Sequence, residues 1–161
     1  MQMRDLPEVL NWRRLNDQIT LSGQPTESQL AKIRDLGVNH VVNLGPHHNE
    51  GALKDEAGTI AELGMKYIYI PVDFDNPTDQ NFEAFCDALE NLSGHQVHVH
   101  CIYNARVTAF FYRYAKIGRG TTEAEAYKLM DGIWRPGNDW AKFIGSEEAI
   151  GQPNRYAGED Y

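Results

Sequence analysis

The chain has 161 residues, of which 42% are apolar and 24% charged, and its formal net charge is -8. This length and composition predict one globular domain, residues 1–161, with a single sizeable core. The acidic balance, without a cluster of Lys and Arg, argues against a nucleic-acid partner, and the chain has no run of roughly 18 apolar residues that would predict a membrane span.

The cysteine content and the first residues predict a cytoplasmic location. Cys86 and Cys101 are the two cysteines of the chain, and two are too few for a disulfide framework. The segment 1–12 is too polar for a signal peptide, although a signal peptide that had been removed would leave no trace. We therefore expect a reducing compartment and no membrane partner.

Predicted strands and helices alternate along the chain. The strands are expected at 18–26 (running into a turn), 38–44, 66–72 and 96–100, and the helices at 26–37, 52–64, 78–92, about 105–117, within 121–133, and 138–150. Capping residues mark several of the helix starts: Thr26 with Gln29, Thr78, and Thr122 with Glu125. This alternation predicts an α/β fold with a mostly parallel central sheet flanked by helices. Ligands bind such sheets beyond the carboxyl ends of the strands.

Cys101 directly follows one of these predicted strands and precedes a helix. Backbone N–H groups at a helix N-terminus have no partner within the helix and attract anions. A thiolate at that position is stabilised, and the thiolate is the nucleophilic form of cysteine. Alternatively, Cys101 is a small apolar residue at the end of a strand.

Three neighbours of Cys101 favour catalysis or anion binding. Arg106 offers a planar fork of donors that fits two phosphate oxygens. Thr108 lies one helical turn further on, where its hydroxyl can reach back toward the sulfur, and His100 can fix the loop by hydrogen bonds. Together these residues predict an anion-binding loop with a nucleophile in it.

The stretch "HCIYNARVTAF" (100–110) resembles the active-site loop of cysteine-dependent phosphatases, the protein tyrosine and dual-specificity group. Four further blocks, at 22–26, 41–45, 52–56 and 67–78, resemble a bacterial branch of beta-lactamase-hydrolase-like and tyrosine-phosphatase-like proteins. The resemblance implies a dual-specificity-phosphatase type of fold. It also implies phosphate monoester hydrolysis, with phosphotyrosine as one candidate substrate, through a cysteinyl-phosphate and without cofactor or metal.

The same resemblance implies which residues form the site and which partners it takes. The phosphate-binding loop would comprise Cys101, Ile102, Tyr103, Asn104, Ala105 and Arg106, with Cys101 as nucleophile and Thr108 assisting departure of the sulfur. The partner would be a phosphorylated small molecule or a phosphoprotein, whose phosphate, or a similar anion such as sulfate, lies in the loop.

The loop departs from the phosphatase pattern in two ways. Four residues separate Cys101 from Arg106, where five are usual, although Thr108 keeps its usual distance. Either the arginine sits one position early, or the loop is shorter, as in rhodanese-like sulfurtransferases. The usual glycine in the middle of the loop is missing, but Asn104 tolerates a left-handed backbone. A rhodanese-like sulfurtransferase and a non-catalytic phosphate-binding pseudo-phosphatase therefore remain alternatives.

Cleavage of a phosphate ester also needs a proton donor for the leaving oxygen. In the phosphatases that the chain resembles, an Asp on a movable loop supplies it, and "IPVDFDNPT" (70–78) occupies the matching position. Asp73 fits better than Asp75, which is kept as the alternative general acid. Both aspartates could instead be turn residues, since Asp and Asn before Pro favour turns.

Other polar residues are interpreted structurally. His47 and His48 have no spaced partners that would complete a metal site, so a polar surface loop is the simpler interpretation. If this loop follows the carboxyl end of a strand, the two histidines would line the rim of the pocket. Glu56 is expected to pair with one of two neighbouring arginines, Arg13 or Arg14.

Overall fold

The computed structural model describes residues 4–117 and 121–156. Its strands are β1 (Arg13–Arg14), β2 (Ile19–Ser22), β3 (His40–Asn43), β4 (Lys66–Tyr69), β5 (Val97–His100), β6 (Trp134–Arg135) and β7 (Arg155–Tyr156). Its helices are α1 (Glu27–Asp35), α2 (Glu56–Glu62), α3 (Asp79–Asn91), α4 (Ala105–Lys116), α5 (Glu123–Tyr127) and α6 (Asn138–Ile144), followed by a 3-10 turn at Glu147–Ala149. No helix in the described part of the chain is long and apolar enough to cross a bilayer.

The central sheet has the strand order β1-β2-β5-β3-β4. The four strands from β2 to β4 are parallel, and β1 is antiparallel at the edge. The predicted α/β class with a mostly parallel sheet is therefore confirmed. The register places Ser22, His100, Asn43 and Tyr69 level at the carboxyl ends of their strands, so the residues that follow these strands meet at one edge.

Apolar residues cover both faces of the sheet. Val41 and Val42 are fully buried neighbours on β3, and successive side chains of a strand point to opposite faces. Val41 belongs to the smaller core with α1 and α2, whereas Val42 belongs to the larger, aromatic-rich core with α3 and α4. The site edge is thus held between two packed layers of helices.

Several predicted elements are shorter than the sequence pattern indicated. Helix α2 begins only after Asp55, whose side chain caps it by accepting from the N–H of Gly58. Helix α6 ends at Gly145, which has the left-handed conformation (φ 82°) that other residues rarely adopt. The capping boxes of α1 and α3 are present, whereas at α5 only the Thr122 side-chain bond forms. Strands β6 and β7, which form a separate two-stranded sheet, were not predicted.

A buried histidine lies on β5 just behind the site edge. Nδ1 of His98 lies 2.8 Å from the Thr20 hydroxyl, and Nε2 lies 2.7 Å from the Ser22 hydroxyl. Because the Ser22 hydroxyl donates to the carbonyl of Gly23, the proton between Ser22 and His98 belongs to Nε2. Burial, and then the neighbouring His100, hold the pKa of His98 well below its usual value of 6.5.

We therefore expect the free energy of unfolding to fall as the pH drops below about 6.5, because the unfolded chain takes up a proton at His98 that the folded chain excludes. One such group contributes a slope of up to about 1.4 kcal/mol per pH unit. Denaturant unfolding between about pH 5 and pH 7 measures it. A His98→Gln variant should lose this part of the slope, and a variant of the exposed His48, His48→Gln, should keep it. Equal slopes for wild type and His98→Gln would contradict the assignment.

Candidate active site

The loop after β5 has its carbonyl groups bonded on one side and its backbone amides on the other. Cys101, which is buried, begins this loop. The carbonyl groups of the loop are tied outward by donors around it: Cys101 O by His100 Nδ1 (3.0 Å), Ile102 O by Gln24 N (3.0 Å), Tyr103 O by Asn11 Nδ2 (2.8 Å) and Asn104 O by Thr108 Oγ1 (2.8 Å). In a planar trans peptide, the next N–H points the opposite way, so the amides of 102–105 point inward. The N–H of Asn104 indeed donates to Cys101 Sγ at 3.2 Å, and such a set of amides has the arrangement of the backbone nests in which proteins hold anions.

Asn104 provides the backbone turn that this nest requires. It is the N-cap of α4 and has a left-handed conformation with φ 74°, so the predicted substitute for a mid-loop glycine has the expected geometry. Its side-chain Nδ2 donates to Asn11 O, and Asn11 Nδ2 donates to Tyr103 O, both at 2.8 Å. This reciprocal amide pair ties the loop to the N-terminal segment, and sequence reasoning did not identify Asn11.

Arg106 is a buried cation on the first turn of α4. Its side chain is 7% exposed, donates from Nη2 to Asn49 Oδ1 at 2.7 Å and lies over the ring of Phe74. Its Nε and Nη1 atoms are buried and have no hydrogen-bond partner among the described residues. A buried charge is costly unless it is paired. The guanidinium therefore favours an anion in the space beside it.

Cys101 and Arg106 line the same cavity, whose volume is about 260 Å³. The other lining residues are Asn49 and Glu50 from the loop after β3, Phe74 from the loop after β4, Ile102, Tyr103 and Ala105 from the loop after β5, and Tyr156 from β7. A larger cavity of about 530 Å³ lies beside α5 and α6 and contains none of the predicted site residues. The smaller cavity is the chemically relevant one, because it contains the thiol, the guanidinium and the inward amides.

The two candidate general acids do not line this cavity. Asp73 and Asp75 are exposed and flank Phe74, which does line it. Asp73 Oδ1 accepts from the N–H of Asp75 at 2.9 Å, so its carboxylate caps a turn, as the structural interpretation of this segment suggested. Glu50, which sequence reasoning did not identify, is the one carboxylate among the described lining residues.

The Thr108 hydroxyl faces the backbone of the loop. It donates toward the carbonyls of Asn104 (2.8 Å) and Ala105 (3.0 Å) and accepts from Trp134 Nε1 (3.1 Å). The described atoms show no hydrogen bond between this hydroxyl and Cys101 Sγ. Thr108 therefore braces the turn at Asn104, and the expected contact with the sulfur is not formed in this structure.

His100 supports the loop from below and is paired with Glu56. His100 is fully buried; its Nδ1 donates to Cys101 O, and its Nε2 lies 2.9 Å from Glu56 Oε2. The expected pairing of Glu56 with Arg13 or Arg14 is wrong: Arg14 pairs with Asp5, and Arg13 donates to backbone carbonyls. The register of the sheet explains why Glu56 pairs with His100 and not with an arginine. It places His100 at the edge of the sheet where α2 begins with Glu56.

The loop after β3 contributes to the cavity through residues other than the two histidines. His47 stacks on Tyr69, with ring centroids 3.8 Å apart, and shares a hydrogen bond with Tyr67. No group of three or more potential metal ligands occurs in the described residues. The position of this loop beyond the end of a parallel strand is the signal that could have identified Asn49 and Glu50.

Comparison with known proteins establishes the class of the fold. The structure is similar to that of Tk-PTP in its active form, with a TM-score of 0.65 over 85% of this chain and 95% of that chain, at 18% sequence identity. At that identity, the similarity establishes the fold alone. The chain thus has the fold of the protein-tyrosine-phosphatase class.

A nearer relative identifies the family. A Shewanella putrefaciens CN-32 protein called "Putative phosphatase (DUF442)" is 31% identical, with a TM-score of 0.77 over 89% of this chain and 96% of that chain. The chain belongs to this DUF442 family. A beta-lactamase hydrolase-like protein of Xylella fastidiosa is 26% identical over 103 residues, which are 60% of this chain but 23% of that protein. The chain thus matches under a quarter of that curated relative. No protein-family model matches the chain.

Proposed function

We propose that the protein is a cysteine-dependent phosphatase that hydrolyses phosphate monoesters. The observation that carries the proposal is the buried Arg106 guanidinium, without an anionic partner among the described residues, in the cavity of Cys101 and the inward amides. A phosphate group matches this set, because its oxygens accept both from a guanidinium fork and from a nest of N–H groups. Membership of a family whose relative is named a phosphatase supports the same conclusion.

The proposed reaction has two displacements at phosphorus. In the first, the Cys101 thiolate forms a bond to phosphorus while the ester P–O bond breaks, and the leaving oxygen takes a proton from an acid. In the second, water attacks the cysteinyl-phosphate, gives its proton to the same residue, and the S–P bond breaks to restore the thiolate. The inward amides and Arg106 hold the equatorial oxygens in both steps.

Asp73 remains the proposed acid, with Asp75 as its alternative. The carboxylate of Asp73 accepts from the N–H of Asp75 and so holds the turn of the loop 73–78. Catalysis by Asp73 would therefore require this exposed loop to move over the cavity. Glu50 is the competing residue, because it lines the cavity without any movement. Asp73, Asp75 and Glu50 are therefore tested together.

The lining of the cavity supports an aryl phosphate, such as phosphotyrosine, as substrate. Phe74, Tyr103 and Tyr156 contribute aromatic side chains to the cavity lining, and aromatic rings pack favourably against one another. The phosphate would belong to a small molecule or to a phosphoprotein. We keep the cytoplasm as the proposed location, because a nucleophilic thiol works only in its reduced form.

A sulfurtransferase is the second candidate, favoured by the four-residue gap between Cys101 and Arg106. In that reaction, Cys101 would carry a persulfide sulfur to an acceptor thiophile. The deciding experiment assays the purified protein for release of phosphate from an aryl phosphate and, in parallel, for sulfur transfer from thiosulfate to cyanide. We expect phosphate release. If the protein transfers sulfur but releases no phosphate, the sulfurtransferase replaces the proposed phosphatase. If it shows neither activity but binds oxyanions, it is a binding module.

Arg106 is expected to dominate oxyanion affinity. An Arg106→Ala variant should bind phosphate or tungstate about a hundredfold more weakly, since hydrogen bonds to charged groups contribute roughly 1.5–3 kcal/mol each. Arg106→Lys should restore only part of the affinity, because Lys keeps the charge but lacks the fork. Isothermal titration measures both, with the exposed Arg34 on α1, changed to Ala, as control. Full affinity in Arg106→Lys would show that charge alone suffices.

A further inference from the structure

The hydrogen bonds of His100 determine where its protons lie. A carbonyl oxygen only accepts, so the contact of His100 Nδ1 with Cys101 O at 3.0 Å requires a proton on Nδ1. On the other side of the ring, Nε2 lies 2.9 Å from Glu56 Oε2. Two acceptors at that distance would repel each other, so a second proton lies between the ring and the carboxyl group. The buried pair therefore carries either an imidazolium with a carboxylate or two neutral groups.

The surroundings of Glu56 favour the carboxylate. Glu56 is 2% exposed, and Gln24 Nε2 donates to its other oxygen, Oε1. Burial raises the pKa of Glu56, whereas the hydrogen bonds that Gln24 and Tyr67 make to the carboxylate lower it whatever the charge of His100. An ionised carboxylate only accepts, so the second proton belongs to His100.

We propose that Glu56 is a positioning residue of the active site, which keeps His100 doubly protonated beneath the anion-binding loop so that Cys101 is held as the thiolate. The imidazolium donates to the carbonyl of Cys101 itself, so its Nδ1 faces the backbone of Cys101, with Glu56 on the far side of the ring. This inference rests on the proposed function, since it explains how the nucleophile of that reaction is prepared.

The other titratable groups near His100 and Glu56 do not supply the negative charge that stabilises the imidazolium. Tyr67 on β4 is hydrogen-bonded to Glu56, and burial raises its pKa, so it stays neutral. The ring centroids of His98, on β5, and His100 are 6.3 Å apart, and the lowered pKa of His98 keeps its ring neutral. His47 contacts Tyr67, not the pair itself, and Gln24 carries no charge. Among these described neighbours of His100, Glu56 is thus the one whose side chain is negatively charged.

The closing experiment measures the rate of Cys101 alkylation by iodoacetamide as a function of pH. A Glu56→Gln variant keeps the shape of the side chain and one oxygen that can accept from His100, and it removes the charge. We expect its alkylation midpoint to rise by about one pH unit, which is a tenfold smaller thiolate fraction below the midpoint. Glu62→Gln, on the exposed side of the same helix α2, should leave the midpoint unchanged.

The same substitution in a protein that lacks His100 tests whether Glu56 acts on Cys101 through His100 or through the fold as a whole. If Glu56 acts through His100, then Glu56→Gln should have no further effect in a His100→Gln protein. An equal shift in both backgrounds would overturn the proposal, as would an unshifted midpoint in a folded Glu56→Gln protein. A wild-type midpoint equal to that of free cysteine would instead count against the thiolate of the proposed phosphatase.

A measurement on the wild-type protein covers the case in which Glu56→Gln does not fold. Nitrogen-15 spectra of labelled histidine report the protonation of each ring nitrogen. We expect both nitrogens of His100 to carry a proton at neutral pH. A spectrum of a neutral ring, with a proton on Nδ1 alone, would overturn the proposal without any variant.

Discussion

A Cys101→Ser variant is expected to lose turnover of aryl phosphates by at least about a thousandfold while it still binds oxyanions. A serine hydroxyl is far less ionised than a thiol at neutral pH, so the variant lacks the nucleophile. The nest itself should survive, because its carbonyls are held outward by donors from His100, Gln24 and Asn11, and these hydrogen bonds do not involve the sulfur. Steady-state assays measure the turnover, and tungstate titration measures the binding.

Cys86 offers the matched control. It lies on α3, is partly buried, and packs against the larger core, so Cys86→Ser should keep full turnover. Turnover that survives in Cys101→Ser would remove the thiol from the mechanism and leave the loop as a binding module. Loss of both turnover and tungstate binding would show that the thiol holds the loop together.

The alternation of strands and helices was sufficient to predict the parallel sheet and the edge at which Cys101 lies. The sheet follows from local patterns, namely buried β-branched runs and helix caps. The edge then follows from the rule that ligands bind beyond the carboxyl ends of parallel strands. Asn104 was predictable for the same reason, since few side chains other than Asn tolerate the left-handed turn that it forms (φ 74°).

Long-range partners of the loop could not be predicted in the same way. His100 pairs with Glu56, which is 44 positions earlier in the chain, and Asn104 with Asn11, which is 93 positions earlier. Each contact depends on which strands are neighbours and on how the segment before β1 crosses the loop. Sequence spacing contains neither fact, so the predicted arginine partner of Glu56 was wrong and Asn11 was not identified.

Sequence and structure give two different candidates for the general acid: Asp73, whose position matches the phosphatases, and Glu50, which lines the cavity. The test is a set of three variants, Asp73→Asn, Asp75→Asn and Glu50→Gln, each assayed with two substrates. Phenyl phosphate has a poor leaving group that needs a proton as the P–O bond breaks. Dinitrophenyl phosphate has a leaving group that departs as a stable anion, so loss of the acid should hardly affect it.

We expect Asp73→Asn to slow phenyl phosphate hydrolysis by about a hundred- to ten-thousandfold, the usual contribution of a positioned acid, with a much smaller effect on dinitrophenyl phosphate. The Asn side chain can still accept the N–H of Asp75, as Asp73 does at 2.9 Å, so the turn is preserved and the result reports the proton. Asp75→Asn should leave both rates unchanged. If Glu50→Gln alone shows the dependence on leaving group, the acid is the carboxylate that already lines the cavity, and closure of the loop 73–78 is not required. If none of the three variants shows it, the proton comes from solvent.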